Sequence, residues 1–331
     1  MASIGIIANP ASGKDIRRLV SHATVVDNNE KVNIVERIIL GAQGCDVTKV
    51  YIMPDTFQIG YRVIDNLSTS KELTARVEIL EMPINGNAKD SVEAAKRMEE
   101  MEIGCLVVLG GDGTNRAAAK VVKNMPMIGL STGTNNVYPE MIEGTIAGMA
   151  AAVAASEKYA LSEIGRKDKR IEIYKNKIFT DIALIDAVVS KNLVVGSKAI
   201  WHIEDMVKVI VSRANPASIG FSSLVGCKMI VKEEDDFGAC IDLTDDTYKI
   251  VAPIAAGLIR EIQMGEPQIL QLHEGYSFTP EHKGMIAVDG EREVPFQAGD
   301  ELIFKITRNG PYHVDIRKAL ETAQINGFFN R

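Results

Sequence analysis

The string Gly110-Gly111-Asp112-Gly113-Thr114 follows the apolar run 105–109 and opens a helical pattern. A buried strand feeding three glycines and then a helix suits a phosphate. Glycine permits positive φ and lets a ligand approach the backbone, and the helix N-terminus supplies N–H groups with a partial positive charge. Asp112 could orient a hydroxyl, act as a base, or help hold Mg²⁺. Read without function, the same string is a tight strand-to-helix turn in which Thr114 or Asn115 caps the helix. The G-x-G-x-x-G dinucleotide fingerprint is absent. Gly13-Lys14 is not a P-loop, because Asp15 replaces the Ser/Thr and Ala8 stands where the first glycine belongs.

Three other strings gain meaning from this one. Asn9-Pro10-Ala11-Ser12-Gly13-Lys14 follows the first apolar run, and Asn9, Ser12 and Lys14 could reach a phosphate or ribose. Ser131-Thr132-Gly133-Thr134-Asn135-Asn136 follows the fifth run, where Thr134, Asn135 and Asn136 are polar enough to join such a site, or to cap the next segment. Asp289-Gly290-Glu291 sits between two β patterns and alone reads as a hairpin turn. Asp181 and Asp186, five apart on one predicted strand, should face opposite sides, so at most one reaches a cleft. Trp201 and His202 could stack on a base but fit a core better, and Glu233 to Asp236 reads as a solvated turn. The four cysteines and five histidines are scattered and form no transition-metal pattern.

The elements that must position these residues come in two styles. Apolar runs at 4–8, 49–53, 77–82, 105–109 and 127–130 alternate with helical patterns around 32–42, 57–67, 88–101 and 114–123. This rhythm predicts an α/β, doubly wound parallel sheet over residues 1–136, with the three polar loops at one edge. From 137 to 311 short runs at 170–174, 178–189, 219–224, 227–232, 240–243, 248–251, 285–288, 291–296 and 301–307 predict an all-β sandwich interrupted by a helix at 203–211. A helix within 312–331 is expected to pack back on the first domain, and the Ala-rich stretch near 147–155 reads as a tightly packed core helix.

Composition excludes several classes. With 331 residues the chain exceeds one core, and 46% hydrophobic and 24% charged residues exclude disorder. Net charge is -7 with Lys and Arg dispersed, which argues against nucleic acid as a partner. The longest apolar stretch, 145–155, falls short of the roughly 20 residues a bilayer span needs, and the N-terminus lacks a basic leader. The expected setting is cytoplasmic, with a small-molecule nucleotide as partner, no membrane, and self-association left open.

Taken in order, N-P-x-S-G-K, G-G-D-G-T, T-G-T-N-N and V-D-G-E resemble the superfamily of ATP-NAD kinases and diacylglycerol-type lipid kinases. Residues 6–18 and 109–139 are similar to the AcoX-like group, ATP-NAD-kinase-related proteins linked to acetoin catabolism. The resemblance implies the NAD kinase-like two-domain architecture, with ATP phosphates near Gly110–Thr114 and Asp112 at the acceptor hydroxyl. It implies that Asn9, Ser12, Thr134 and Asn135 line the nucleotide site. It places Glu291 as a base and the active cleft between the domains, with Mg²⁺ carried by the phosphates and no dedicated metal site. Asp186 and Asp289 are expected on the substrate side.

Two departures bear on the acceptor. NAD kinases carry A-L-N-E/D on a sandwich strand, whereas this chain has Ala183-Leu184-Ile185-Asp186, and a later G-S-T-A-Y stretch is replaced near residues 252–257. Isoleucine cannot hydrogen-bond a base or carboxamide. The expected activity is ATP-dependent phosphoryl transfer to a hydroxyl, the 2′-hydroxyl of NAD by default, giving NADP. The alternatives are a non-catalytic nucleotide-binding sensor in carbon metabolism, and a kinase for a lipid or another small hydroxyl compound. Asn135-Asn136 stands where lipid kinases have N-D, and no basic patch marks a membrane face.

Overall fold

The computed structural model of the chain describes residues 2–12, 22, 24, 26–191 and 203–330. Lys14, Trp201 and His202 lie outside the described residues. The first sheet is built from β1 (Ser3–Ala8), β2 (Lys49–Ile52), β3 (Arg76–Ile79), β4 (Cys105–Gly110), β5 (Pro126–Ser131) and β6 (Gly165–Lys167), with a late strand, β19 (Tyr312–Val314), slotted between β5 and β6. The order is β3-β2-β1-β4-β5-β19-β6, parallel through β19, with β6 antiparallel to it. The chain steps outward from β1 to β3 and then resumes on the other side at β4. The ends of β1 and β4 therefore bound the switch point at which open α/β sheets leave a crevice.

Both faces of this sheet are covered. On one side α1 (Asn28–Gln43), α5 (Gly144–Ala155) and α8 (Ile316–Ile325) bury Ile4, Ile6, Val107 and Leu109. Small residues let α1 and α5 touch backbone to backbone: a Cβ on Gly41 or Gly148 would run into the main chain of Thr145 or Ile38. The other side carries α3 (Ala88–Glu100) and α4 (Asp112–Ala119) over Ile7, Leu106 and Val108. Ile182, Leu184 and Ile185 join this second cluster, so the two halves of the molecule share a core. α2 (Ile59–Thr69) flanks the β2–β3 edge, and the short α6 (Leu161–Ile164) leads into β6.

The second half pairs two antiparallel sheets. The larger contains β9 (Asp186–Ser190), β10 (Met206–Val211), β11 (Phe237–Asp242), β14 (Gln268–Gln271), β16 (Gly284–Val288) and β17 (Glu291–Phe296). The smaller contains β7 (Arg170–Lys175), β8 (Ile178–Ala183), β15 (Gly275–Phe278) and β18 (Leu302–Thr307). Ala187, Val189, Ile286 and Val288 from one sheet meet Ile171, Ile173, Phe304 and Ile306 from the other. The opposite face of the larger sheet, through Val188, Val209, Val211 and Ala287, is covered by α7 (Ser222–Gly226) and by the hairpin β12 (Tyr248–Ala255) with β13 (Leu258–Met264).

The expected α/β half and β-sandwich half are both present, and some elements are corrected. Residues 203–211 are not a helix: a short 3-10 turn, Ile203–Asp205, enters β10. All six β10 residues are buried, and a short run apolar on both faces cannot be told from a helix by periodicity. Residues 219–224 and 227–232 are not two strands; α7 takes up the end of the first, and Val231 makes only an isolated bridge to Ala214. The run 178–189 breaks at Leu184-Ile185 into β8 and β9, which lie in different sheets. Asp181 and Asp186 thus do not share a strand, and the argument that they face opposite sides fails. β6, β13, β14, β15 and β19 were not expected.

Candidate active site

Three loops meet at the carboxyl edge of β1, β4 and β5, and side chains tie them together. Asn9 donates from Nδ2 to Thr114 Oγ1 at 3.0 Å, joining the loop after β1 to the first turn of α4. Thr132 donates to Ser12 Oγ at 3.2 Å, joining the loop after β5 to the same β1 loop. Asn136 donates to Ser131 Oγ at 2.7 Å and folds the third loop on itself. Lys31, a buried residue of α1 that sequence reasoning missed, donates from Nζ to the carbonyls of Asn9 (3.0 Å) and Ser12 (2.7 Å). Only the first turn of α1 marks it in the sequence, where a lysine looks like a solvated charge.

The glycines act here by size. None of Gly110, Gly111 and Gly113 has a positive φ, which corrects the conformational reason given for them. A Cβ on Gly110 would lie within 2.9 Å of three Thr114 side-chain atoms, and one on Gly111 would lie 2.9 Å from Asn136 Oδ1. A Cβ on Gly113 would come within 3.0 Å of both carboxylate oxygens of Glu291. The loop is thus pressed between its neighbours. α4 begins at Asp112 with Gly111 as N-cap and no side-chain cap, whereas Asp27, Asn87, Glu143 and Asp315 cap α1, α3, α5 and α8.

Asp112 is buried and accepts from two backbone N–H groups, Val137 (3.0 Å) and Tyr138 (2.9 Å). These bonds fix the carboxylate between the G-G-D-G-T turn and the chain leaving the third loop. Asn115 is fully buried, with Nδ2 on the Gly111 carbonyl at 2.9 Å, so its side chain braces the turn from inside and presents no surface to a ligand. Thr134 is exposed and accepts from the Thr24 N–H, and Asn135 Oδ1 accepts from the Ala256 N–H, reaching across to the second half.

A buried charge cluster lies beside α4. Arg116 bonds Asp181 at 3.2 Å and Glu291 Oε2 at 2.9 Å, and its Nε stands 3.8 Å from Asp289. Lys120 adds a second cation on Asp181 at 2.9 Å. Asp289 is wholly buried and accepts from the N–H groups of Leu184 (2.8 Å), Ile185 (2.8 Å) and Asp186 (3.2 Å), capping the break between β8 and β9. Burial raises its carboxyl above the ordinary value, against the pull of Arg116 and these three bonds. Asp289 and Gly290, at φ 47° and 82°, are also the hairpin turn that the sequence predicts. Arg116 and Asp181 were not picked out as a pair, because only the fold brings residues 65 positions apart together.

A second buried cluster closes the joint between the halves. Asp168 faces His313 Nδ1 at 3.1 Å, Arg213 at 3.3 Å and Arg166 at 3.5 Å. Burial alone would raise Asp168, but the charges of Arg213 and His313 outweigh it and hold the carboxyl well below the usual range. The Tyr138 ring lies 5.2 Å from His313 and 5.0 Å from the Arg213 guanidinium, so this cluster backs the same residue whose N–H holds Asp112.

Two cavities flank the loops. One, of about 220 Å³, is lined by Asn9, Pro10, Ala11, Asp55, Phe57 and Asn87 among others. The other, of about 250 Å³, lies between the halves, with Asp112, Asn135, Asp186 and Asp289 against Ile185, Phe221, Ile254 and Leu258. Asn9 lines the first, Asp112 the second, and Thr114 links them. Glu291 lines neither cavity, and its carboxylate lies against Gly113. Among the described residues no three metal-ligating side chains converge, and no helix is long and apolar enough to cross a membrane.

The family model described as ATP-NAD kinase N-terminal domain matches residues 4–159, and that of the acetoin catabolism protein X C-terminal domain matches residues 169–309. Acetoin catabolism protein X from Cupriavidus necator is 34% identical over 336 residues, spanning 97% of this chain and 92% of that one. A yeast NADH kinase, solved with NADH, superposes with a TM-score of 0.53 at 13% identity, covering 100% of this chain and 88% of its own. At that identity the likeness is one of fold, and it extends through both halves. The chain therefore belongs to the acetoin catabolism protein X family, and its first half carries the ATP-NAD kinase N-terminal domain.

Proposed function

We propose that the protein transfers the γ-phosphoryl group of ATP to a hydroxyl of a small molecule. The observation that carries this reading is the single linked edge, Asn9–Thr114–Asp112, with one cavity on each side. The cavity bearing Phe57 and Asp55 takes the nucleoside. The phosphates run along residues 9–12 and onto the N-terminus of α4, where backbone N–H groups and the helix dipole favour anions. The acceptor enters between the halves, and Asp112 orients its hydroxyl. Mg²⁺ enters on the phosphates and neutralises charge there. Thr134 closes the nucleotide side, Asn135 lies at the acceptor cavity instead, and Lys14 belongs to this proposal by sequence alone. Asp186 and Asp289 form the acceptor side.

Glu291 pairs with Arg116 and lies against Gly113, so the base role passes in this reading to Asp112, which lines the acceptor cavity. The superfamily makes NAD the first acceptor to test, and the name of the Cupriavidus relative adds acetoin. One observation favours a second reading. Ile185 gives its N–H to Asp289 and lines the cavity with a residue whose side chain cannot hydrogen-bond, which removes a recognition point for a dinucleotide and suits a nucleotide-binding sensor. The two readings separate in one experiment: ADP release from ATP and Mg²⁺ with NAD or acetoin present, alongside thermal unfolding with ATP. Acceptor-dependent ADP release is the expected outcome. ATP that raises the melting temperature, with no ADP formed with any acceptor, would sink the kinase reading in favour of the sensor.

A further inference from the structure

We infer that the acceptor is a small, uncharged aliphatic alcohol, held with its hydroxyl on Asp112 and its hydrocarbon on the wall formed by Ile185, Phe221 and Leu258. The inference rests on the phosphotransfer reading and narrows it. The cavity's buried polar side chains are carboxylates, Asp112, Asp186 and Asp289, while the half-buried Asn135 and the exposed Arg260 complete its polar lining. A pyrophosphate or a second carboxylate brought against these three carboxylates meets like charge, which costs affinity and selects against anionic acceptors.

The opposite side is hydrocarbon from four separate stretches. Ile185 comes from the β8–β9 break, Ile219 and Phe221 from the chain entering α7, and Ile254 and Leu258 from the β12–β13 hairpin. The main chain at the break adds no donor, because Asp289 already accepts from Leu184, Ile185 and Asp186. Ribose hydroxyls or a carboxamide placed against this hydrocarbon wall would lose water without gaining a partner. A short alcohol has the complementary shape, with one polar end and one apolar end. In the transfer its oxygen forms the bond to the γ-phosphorus while the bridging P–O bond of ATP breaks. The hydroxyl proton passes to Asp112, and ADP leaves with the bridging oxygen.

The test uses the full chain with ATP and Mg²⁺, and follows ADP release with propylene glycol, butanediol and hexanediol, with glycerate as an anionic control and with NAD. The expected result is turnover of the diols, with kcat/KM rising roughly fourfold per added methylene until the cavity is full, and glycerate slower than any of them. Leu258→Asp, on the half-buried hairpin turn, should lower kcat/KM for butanediol at least tenfold and leave the KM for ATP unchanged. NADP formed from NAD, glycerate preferred over the diols, or diol turnover untouched by Leu258→Asp would each overturn the inference and leave the phosphotransfer reading standing. If no acceptor yields ADP, the phosphotransfer reading falls. The inference is then judged by binding: butanediol that protects the native chain but not Leu258→Asp from thermal unfolding upholds it, and equal or absent protection overturns it.

Discussion

The two walls of the cleft are held by opposite means. On the α/β side, polar side chains reach from loop to loop: Asn9 to Thr114, Thr132 to Ser12, and Asp112 to the N–H groups of Val137 and Tyr138. Each bond is short-range in space and modest alone. On the β-sandwich side, Asp181 and Glu291 are gathered by one buried arginine reaching over from α4, Arg116, which stands near Asp289, and much of the rest of the wall is hydrocarbon. The loop side is a mesh that can lose one strand at little cost. The sandwich side has a keystone, because removing one partner of a buried ion pair leaves its charges uncompensated. The difference suggests where each wall tolerates variation, and so where a superfamily could change its acceptor while keeping its donor.

Mutations can break this contrast, the largest effect first. Asp112→Asn keeps the volume and an acceptor for Val137 or Tyr138, but loses the charge that receives a proton. Turnover should fall about a hundred- to ten-thousand-fold, the usual size of a general-base contribution, while ATP still raises the melting temperature. A variant that kept its kcat would remove Asp112 from the chemistry. Arg116→Ala strands buried carboxylates and should cost about 3–5 kcal/mol in urea-induced unfolding. A cost near that of a surface substitution would show that the keystone description is wrong. Asn9→Ala removes one tie of the mesh and should cost only about 1 kcal/mol, with a weaker apparent affinity for ATP in thermal shift. If Asn9→Ala destabilised as much as Arg116→Ala, the two walls would not differ in kind.

The same contrast explains what the sequence made legible. Glycine, asparagine and aspartate at the ends of apolar runs are local signals, so the loop side could be read residue by residue before any contact was known. The parallel rhythm gave the sheet, and the sheet order then brought the loops to one edge. The sandwich side carries no such local signature. Arg116 looks like any helical arginine until Asp181, Asp289 and Glu291 arrive from three other elements. Lys31 is concealed in the same way, since its partners are backbone carbonyls that no side-chain pattern announces. The misread stretches, 178–189 and 203–211, are continuous apolar runs in which a chain break or a switch from helix to strand leaves the pattern unchanged. Asn115 shows the converse: a polar residue in a motif can belong wholly to the scaffold.

The placement of β19 carries one further consequence. It lies parallel to β5, adds His313 to the Asp168 cluster, and leads into α8, which packs on α5. The first sheet is thus completed by a segment synthesised after the whole β-sandwich. During translation the loops that hold Asp112 would emerge early and wait for residues 312–314 to lock the joint behind Tyr138. A nascent chain stalled within the sandwich would expose an unpaired edge of β5, the kind of template that invites pairing with another chain. Assembly of the loop edge thus waits on a segment that follows the β-sandwich.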